Sequence, residues 1–192
     1  MKDEQIEILL EEPSMMYFME DVLPFILPEG YELGVNCFLR PHQGKSDLRK
    51  SIPRKIKVFS NYYRPAKIII IHDQDSNDCR ELKVQLQKLC SIEGACPVLI
   101  RIACRELENW YLGDMKAIQG LYPKFSAEKV GRSAKYREVD NCFGSKELEE
   151  MIVGFQKTFA AKNIALYMDD FSANRSESFQ QTISGIKEFL SK

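Results

Sequence analysis

Short apolar runs alternate along this chain with longer stretches in which apolar residues recur every three or four positions. Runs of the first kind, at Gln5 to Leu10, Tyr31 to Phe38, Ala66 to His72 and Pro97 to Ala103, predict β-strands. Helical spacing fills the gaps between them. In SMMYFMEDVLPFIL, Met15, Phe18, Met19 and Val22 fall on one face behind Pro13, a residue suited to a helix's first turn. In SDLRKSIPRKIKVFSN, Leu48, Ile52, Ile56 and Phe59 keep the same spacing, and Pro53 is expected to break the helix or begin a new one. In CRELKVQLQKLC, Leu82, Leu86 and Leu89 share a face, and Asp78 with Glu81 has the form of a capping box. This alternation predicts an α/β protein with a mainly parallel sheet of about four strands flanked by helices.

After the fourth strand the pattern changes. CRELENWYLGDMKAIQGLY reads as helix, while Tyr122 to Gly144 has weak periodicity and many charges, as an irregular segment or insertion would. Two helices are expected to close the chain, Ser145 to Lys162 and Ser176 to Leu190, with NIALYMDD between them as a fifth strand or a helix. Repeats, low-complexity tracts and Gly/Ser linkers are absent, so residues 1–192 are expected to form one domain, with a core at 1–115 and an insertion plus C-terminal helices at 116–192.

Composition narrows the chemistry. With 192 residues, 44% apolar and 29% charged, the chain is an ordinary globule, and a net charge of −1 advertises no partner through a global field. The opening MKDEQIEILLEEP is acidic, and no stretch approaches the ~20 apolar residues that a spanning helix needs, so the expectation is a cytoplasmic protein without a membrane segment. The six cysteines form no C-x-x-C pair and are expected to be reduced, structural thiols. Only His42 and His72 are available, too few for a structural zinc site built without paired cysteines and a thin supply for histidine-based catalysis. Chemistry in this chain is expected to rest on carboxylates.

Parallel sheets collect ligands at the carboxyl ends of their strands. Glu11 and Glu12 end the first predicted strand, Asp73 and Asp75 end the third, and Glu106 and Glu108 follow the fourth, so six carboxylates are expected on one rim. In extended chain, residues two apart point the same way, which would turn Asp73 and Asp75 toward one ion. Like charges that close repel, and a hard divalent cation, Mg2+ or Mn2+, relieves the repulsion. The alternative is that DQDSND is only a turn and helix start, where Asp, Ser and Asn bond nearby main-chain N–H groups. An EF-hand loop is excluded by Asp78 and Val84, and a P-loop by Leu39, since each stands where the motif requires another residue. On a helix after the fourth strand, Glu106, Trp110 and Asp114 would share a face and Glu108 would point elsewhere, so only one of the two glutamates is expected to reach a metal. Trp110 is expected to pack on the sheet rather than to stack on a base.

Residues 40–57 carry Arg40, Lys45, Arg49, Lys50, Arg54, Lys55 and Lys57 against Asp47 alone, seven positive charges minus one, or +6. Such a cluster beside a carboxylate rim suits nucleic-acid phosphates; a solvated helix face is the alternative. Lys124, Lys129, Arg132, Lys135 and Arg137 form a looser second cluster, and Arg175 is a further candidate.

The order of LLEEPS, IIIIHDQD and RIACRELENWYLGD resembles the Toprim (topoisomerase–primase) domain, a Rossmann-like fold. More narrowly, the chain is similar to a family of small stand-alone Toprim-like proteins with the pattern E-G-x-[ST], G-K-[ST], D-x-D and R-E-x-E-x-W-x-L-x-D, here across residues 9–114. ANRSESF is similar to that family's R-S-x-S-F ending. The resemblance implies a Mg2+-dependent nuclease, with Glu11 as general acid/base and Asp73 and Asp75 as metal ligands. With the carboxylates after the fourth strand added, the expected catalytic set is Glu11, Asp73, Asp75 and Glu106, and the expected metal set is Glu11, Asp73, Asp75 and Glu108. The resemblance also implies an ABC-type ATPase partner and a role in bacterial anti-phage defence. One position departs: Glu12 stands where the family has glycine, which lets main chain and phosphate come close. A degenerate module that binds nucleic acid or a partner protein without cutting is the rival expectation. A D-x-D-x-[TV] phosphatase is excluded by Asn77 and by the motif's place after the third strand rather than the first.

Overall fold

The computed structural model describes residues 2–192. Strand β1 (Gln5–Leu10) leads into α1 (Pro13–Val22), β2 (Cys37–Pro41) into α2 (Lys45–Phe59), β3 (Ala66–Asp73) into α3 (Cys79–Cys90), and β4 (Val98–Ala103) into a run of short helices. These are α4 (Glu108–Gly113), α5 (Met115–Leu121), α6 (Ala127–Gly131), α7 (Gly144–Met151) and α8 (Lys157–Asn163), before the longer α9 (Glu177–Ser191). The four strands are all parallel, in the order β2-β1-β3-β4. The protein is therefore α/β, a parallel sheet flanked by helices with a helix at its C-terminal end.

Helices cover both faces of the sheet, which explains the unbroken isoleucine run in β3. Ile69 and Ile71, with Ile6, Ile8 and Leu10 of β1, pack against Phe18 of α1, Trp110 and Tyr111 of α4 and Phe179 of α9. Ile68 and Ile70, with Ile100 and Ile102 of β4, pack against Leu48, Ile52 and Ile56 of α2 and Leu82 and Leu86 of α3. All four central isoleucines are fully buried, each stabilising the fold by about 1.5–3 kcal/mol. The first cluster runs from Ile6 to Leu190, so the segment after residue 115 builds a wall of the same core.

Several boundaries differ from the sequence reading. The second strand starts at Cys37 rather than Tyr31, because the chain turns at Gly34 to Asn36: Gly34 has φ +82°, and the Asn36 side chain accepts from Glu32 N and donates to the Gly30 carbonyl. Pro53 lies inside an unbroken α2, held by four buried apolar residues that include Ile52 and Ile56. The stretch 104–122 is two helices, not one. Arg105 at φ +61° delays the first until Glu108, and Asp114 ends it and N-caps the next through Ala117 N. The expected helix 145–162 is also split, around Gly154 at φ +78°. Of the two alternatives for NIALYMDD the strand is not formed: Asn163 ends α8 and Ile164–Tyr167 is a short 3-10 helix. Asp78 does cap α3, accepting from the main-chain N–H groups of Arg80 and Glu81. Among the described residues, no helix is long and apolar enough to cross a membrane.

Candidate active site

β1 and β3 are neighbours whose onward connections leave in opposite directions, β1 to β2 on one side and β3 to β4 on the other. Ligands of open parallel sheets bind in the crevice at the carboxyl ends of such a pair. Glu11 follows β1 and Asp73 ends β3; they are 8% and 7% exposed. The two meet, because the main-chain N–H of Asp73 donates to Glu11 Oε2 at 3.1 Å.

His72 organises this contact from beneath. Its Nε2 accepts from Arg49 Nε at 3.1 Å, and since a guanidinium only donates, the ring proton sits on Nδ1. That Nδ1 lies 2.6 Å from the Asp73 carbonyl oxygen and 2.9 Å from Glu11 Oε2. The Asp73 N–H thus holds one oxygen of Glu11, with His72 Nδ1, whose proton goes to the Asp73 carbonyl, close beside it, and among the described residues no side chain or main-chain donor engages the other oxygen.

Burial, then the negative charges of Glu11, Glu108, Glu12 and Asp75, push the Asp73 carboxyl well above its ordinary range. Its Oδ1 is buried without a hydrogen-bond partner, as is the hydroxyl of Tyr111. Burial and the charges of Glu108, Asp73 and Glu12 raise the Tyr111 phenol in turn. The phenol and these carboxylates therefore lie within electrostatic reach of one another.

Asp75 does not lie in extended chain beside Asp73. The strand has ended, Asp75 takes φ +53°, and its carboxylate reaches Lys45 Nζ at 2.8 Å. The two-residue repeat fails here because the turn reverses the side chain's direction. Lys45 arrives through Gly44, whose φ of +90° requires glycine and whose N–H bonds the Glu11 carbonyl.

Glu106 and Glu108 do not sit on one helix, contrary to the sequence expectation. Glu106 precedes α4, so it shares no helical face with Trp110 and Asp114. Its carboxylate accepts from Ser145 N at 2.8 Å and from Ser145 Oγ. Glu108 is the buried one of the pair, 4% exposed, and burial raises its carboxyl to about 7 against the opposing pull of Lys157. Lys157 Nζ stands 3.6 Å from Glu106 and 3.7 Å from Glu108. No functional signal in the sequence marked Lys157, Tyr111 or Ser145, although Tyr111, like His72, stood inside a quoted stretch. Glu12 takes an extended conformation, φ −150° and ψ 166°, and accepts from Ser14 Oγ, so its main chain does not demand glycine.

All six carboxylates gather at one end of the sheet, but two lysines hold some of them. Among the described residues no three His, Cys, Asp or Glu side chains stand close enough together to form a ready cage. An all-oxygen donor set with an unpartnered, buried Asp73 Oδ1 nevertheless fits a hard divalent ion.

The basic residues divide. Arg40 pairs with buried Glu7 at 2.8 Å, Lys45 with Asp75, and Arg49 with His72, whereas Lys50 and Arg54 are exposed on α2. Arg175 is exposed just before α9, anchored by its main-chain N–H on the Gly113 carbonyl. The neighbouring serines clamp α9 onto α4: Ser176 caps α9, and Ser178 Oγ accepts from Trp110 Nε1 at 2.9 Å. In comparison with known proteins, the chain matches no family model, no curated protein and no solved structure.

Proposed function

We propose that this protein is a Mg2+-dependent (or Mn2+-dependent) nuclease of Toprim type that cleaves nucleic-acid phosphodiester bonds. The observation that carries the reading is the contact of Glu11 with Asp73 across the β1/β3 crevice, beside an unpartnered Asp73 Oδ1. Asp73 and Glu11 would hold the ion, joined by Asp75 on release from Lys45 and by Glu108. A bound divalent cation supplies charge stabilisation at phosphorus and at the leaving oxygen. Glu11, gripped at one oxygen and open at the other, is placed to hold or move a proton as general acid/base. Lys157 keeps Glu106 and Glu108 from repelling the anionic substrate. The family resemblance supports an ABC-type ATPase partner, bacterial anti-phage defence and a cytoplasmic location.

A second reading, a module that binds nucleic acid or a partner protein without cutting, is favoured by Lys157, whose ammonium already neutralises Glu106 and Glu108. The test is cleavage of mixed DNA and RNA substrates with Mg2+ or Mn2+, alone and with the ATPase partner, by wild type and Asp73→Ala. Wild-type cutting that the variant loses while its circular dichroism is unchanged supports the nuclease. If both proteins bind equally and neither cuts under any condition, the second reading stands.

A further inference from the structure

β4 is an edge strand, and its open side is walled by α3 and α9. Between them lies a cleft of about 650 Å³ that reaches Gln74, the residue between Asp73 and Asp75, and Arg105, the neighbour of Glu106. The cleft therefore adjoins the carboxylate rim through Gln74 and Arg105, although none of the six carboxylates lines it. Gln74 Oε1 and the Arg105 main-chain N–H are joined at 3.0 Å, tying its floor to that rim.

Charge in the cleft is unevenly satisfied. Its acids are Glu138, Asp140 and Glu177, and each already accepts from an internal donor: Asn141 Nδ2, Ser176 Oγ with Ser178 N, and Gln181 Nε2 respectively. Its cations are Lys83, Arg101, Arg105, Arg137 and Arg175, and among the described residues none has a carboxylate within ion-pair distance. Arg101 Nε is buried without a partner, and the guanidinium is so close to α9 that a Cβ at Gly185 would come within 1.8 Å of it. Four guanidinium groups in one cleft suit phosphate, which they grip through two parallel N–H bonds. At the lip, Phe143 is 56% exposed with the Arg105 guanidinium 5.0 Å from its ring centre, a surface on which a base can stack.

We infer that this cleft carries a single nucleic-acid strand to the carboxylate rim, with Arg101, Arg105, Arg137 and Arg175 on its phosphates and Phe143 under a base. The inference rests on the nuclease reading for the purpose of the path, but strand binding is measurable without cleavage. It moves the substrate track away from the basic stretch 40–57 of β2 and α2, where Arg40, Lys45 and Arg49 are engaged internally.

The test is fluorescence anisotropy of labelled single-stranded DNA and RNA oligonucleotides in EDTA over a range of salt. Arg137→Ala and Arg175→Ala, both at exposed positions, should each weaken binding several-fold and flatten the slope of log K against log salt by about 0.7. Phe143→Ala should weaken binding without changing that slope. Lys50→Ala with Arg54→Ala should leave affinity unchanged, and an unlabelled duplex should compete poorly. Equal binding by the cleft variants, loss through the α2 pair instead, tighter binding of duplex, or no binding by the wild type at low salt would each overturn the inference. Binding through the cleft by a protein that never cuts would refute the nuclease reading and leave the cleft assignment intact.

Discussion

The main chain of Asp73 donates to the side chain of Glu11, joining two residues 62 positions apart at the carboxyl ends of adjacent strands. The hydrogen bond fixes which oxygen of Glu11 is held and which faces the crevice. It also makes the orientation of Glu11 depend on β3, and so on His72, which touches the same oxygen.

On the proposed nuclease reading, His72 is a positioning residue. His72→Leu keeps the site buried but removes the Nδ1 contact and leaves Arg49 without its acceptor. Residues that orient metal-site ligands in this way cost about 10–100-fold in affinity or activity when replaced. The expected result is a loss of that size in kcat, with strand binding in EDTA unchanged. Arg49→Ala should lower kcat in the same direction and leave the salt dependence of binding untouched; a changed slope would return Arg49 to the phosphate-binding set.

Glu108 gives a pH dependence in metal-free protein. Its folded-state value of about 7 lies above its ordinary 4.5, so between those limits the folded chain keeps a proton that the unfolded chain has released. Stability then falls as pH rises from about 4.5 to about 7 and levels off above, and the raised Asp73 contributes in the same direction. Glu108→Gln should flatten this slope and stabilise the protein at pH 8 by on the order of 3 kcal/mol. Mg2+, by binding only the folded chain, should raise the wild-type melting temperature by several degrees at pH 8 and raise that of Asp73→Asn less. Denaturant melts at pH 5 and pH 8 with EDTA read the first effect; an identical slope in wild type and Glu108→Gln sinks it.

Trp110 belongs to the core. It is fully buried, its ring centre 5.4 Å from Phe179 and 5.9 Å from Phe18, and its indole N–H is spent on Ser178. Trp110→Ala should cost about 3–5 kcal/mol in urea unfolding. Retained stability with lost oligonucleotide binding would instead give the ring a stacking role.

The sequence alone determined the α/β class, the bounds of β1, the core faces of α1, α2 and α3, and the placing of Glu11 and Asp73 at strand ends. All of these follow from periodicity and capping, which are local: neighbouring residues decide which face is buried and where a helix can start. What a side chain meets at the rim was decided only by tertiary packing. Asp75 turned to Lys45 because a left-handed turn reversed it, Glu108 rather than Glu106 was buried because Arg105 delayed the helix, and Lys157 reached both glutamates from a helix far along the chain. Arg137 and Arg175 were visible as charges, yet only the seating of α9 against β4 joined them with Arg101 and Arg105 in one cleft. Burial patterns repeat along the chain and can be counted there; contacts between distant elements depend on backbone angles and helix seating that no single stretch of sequence contains.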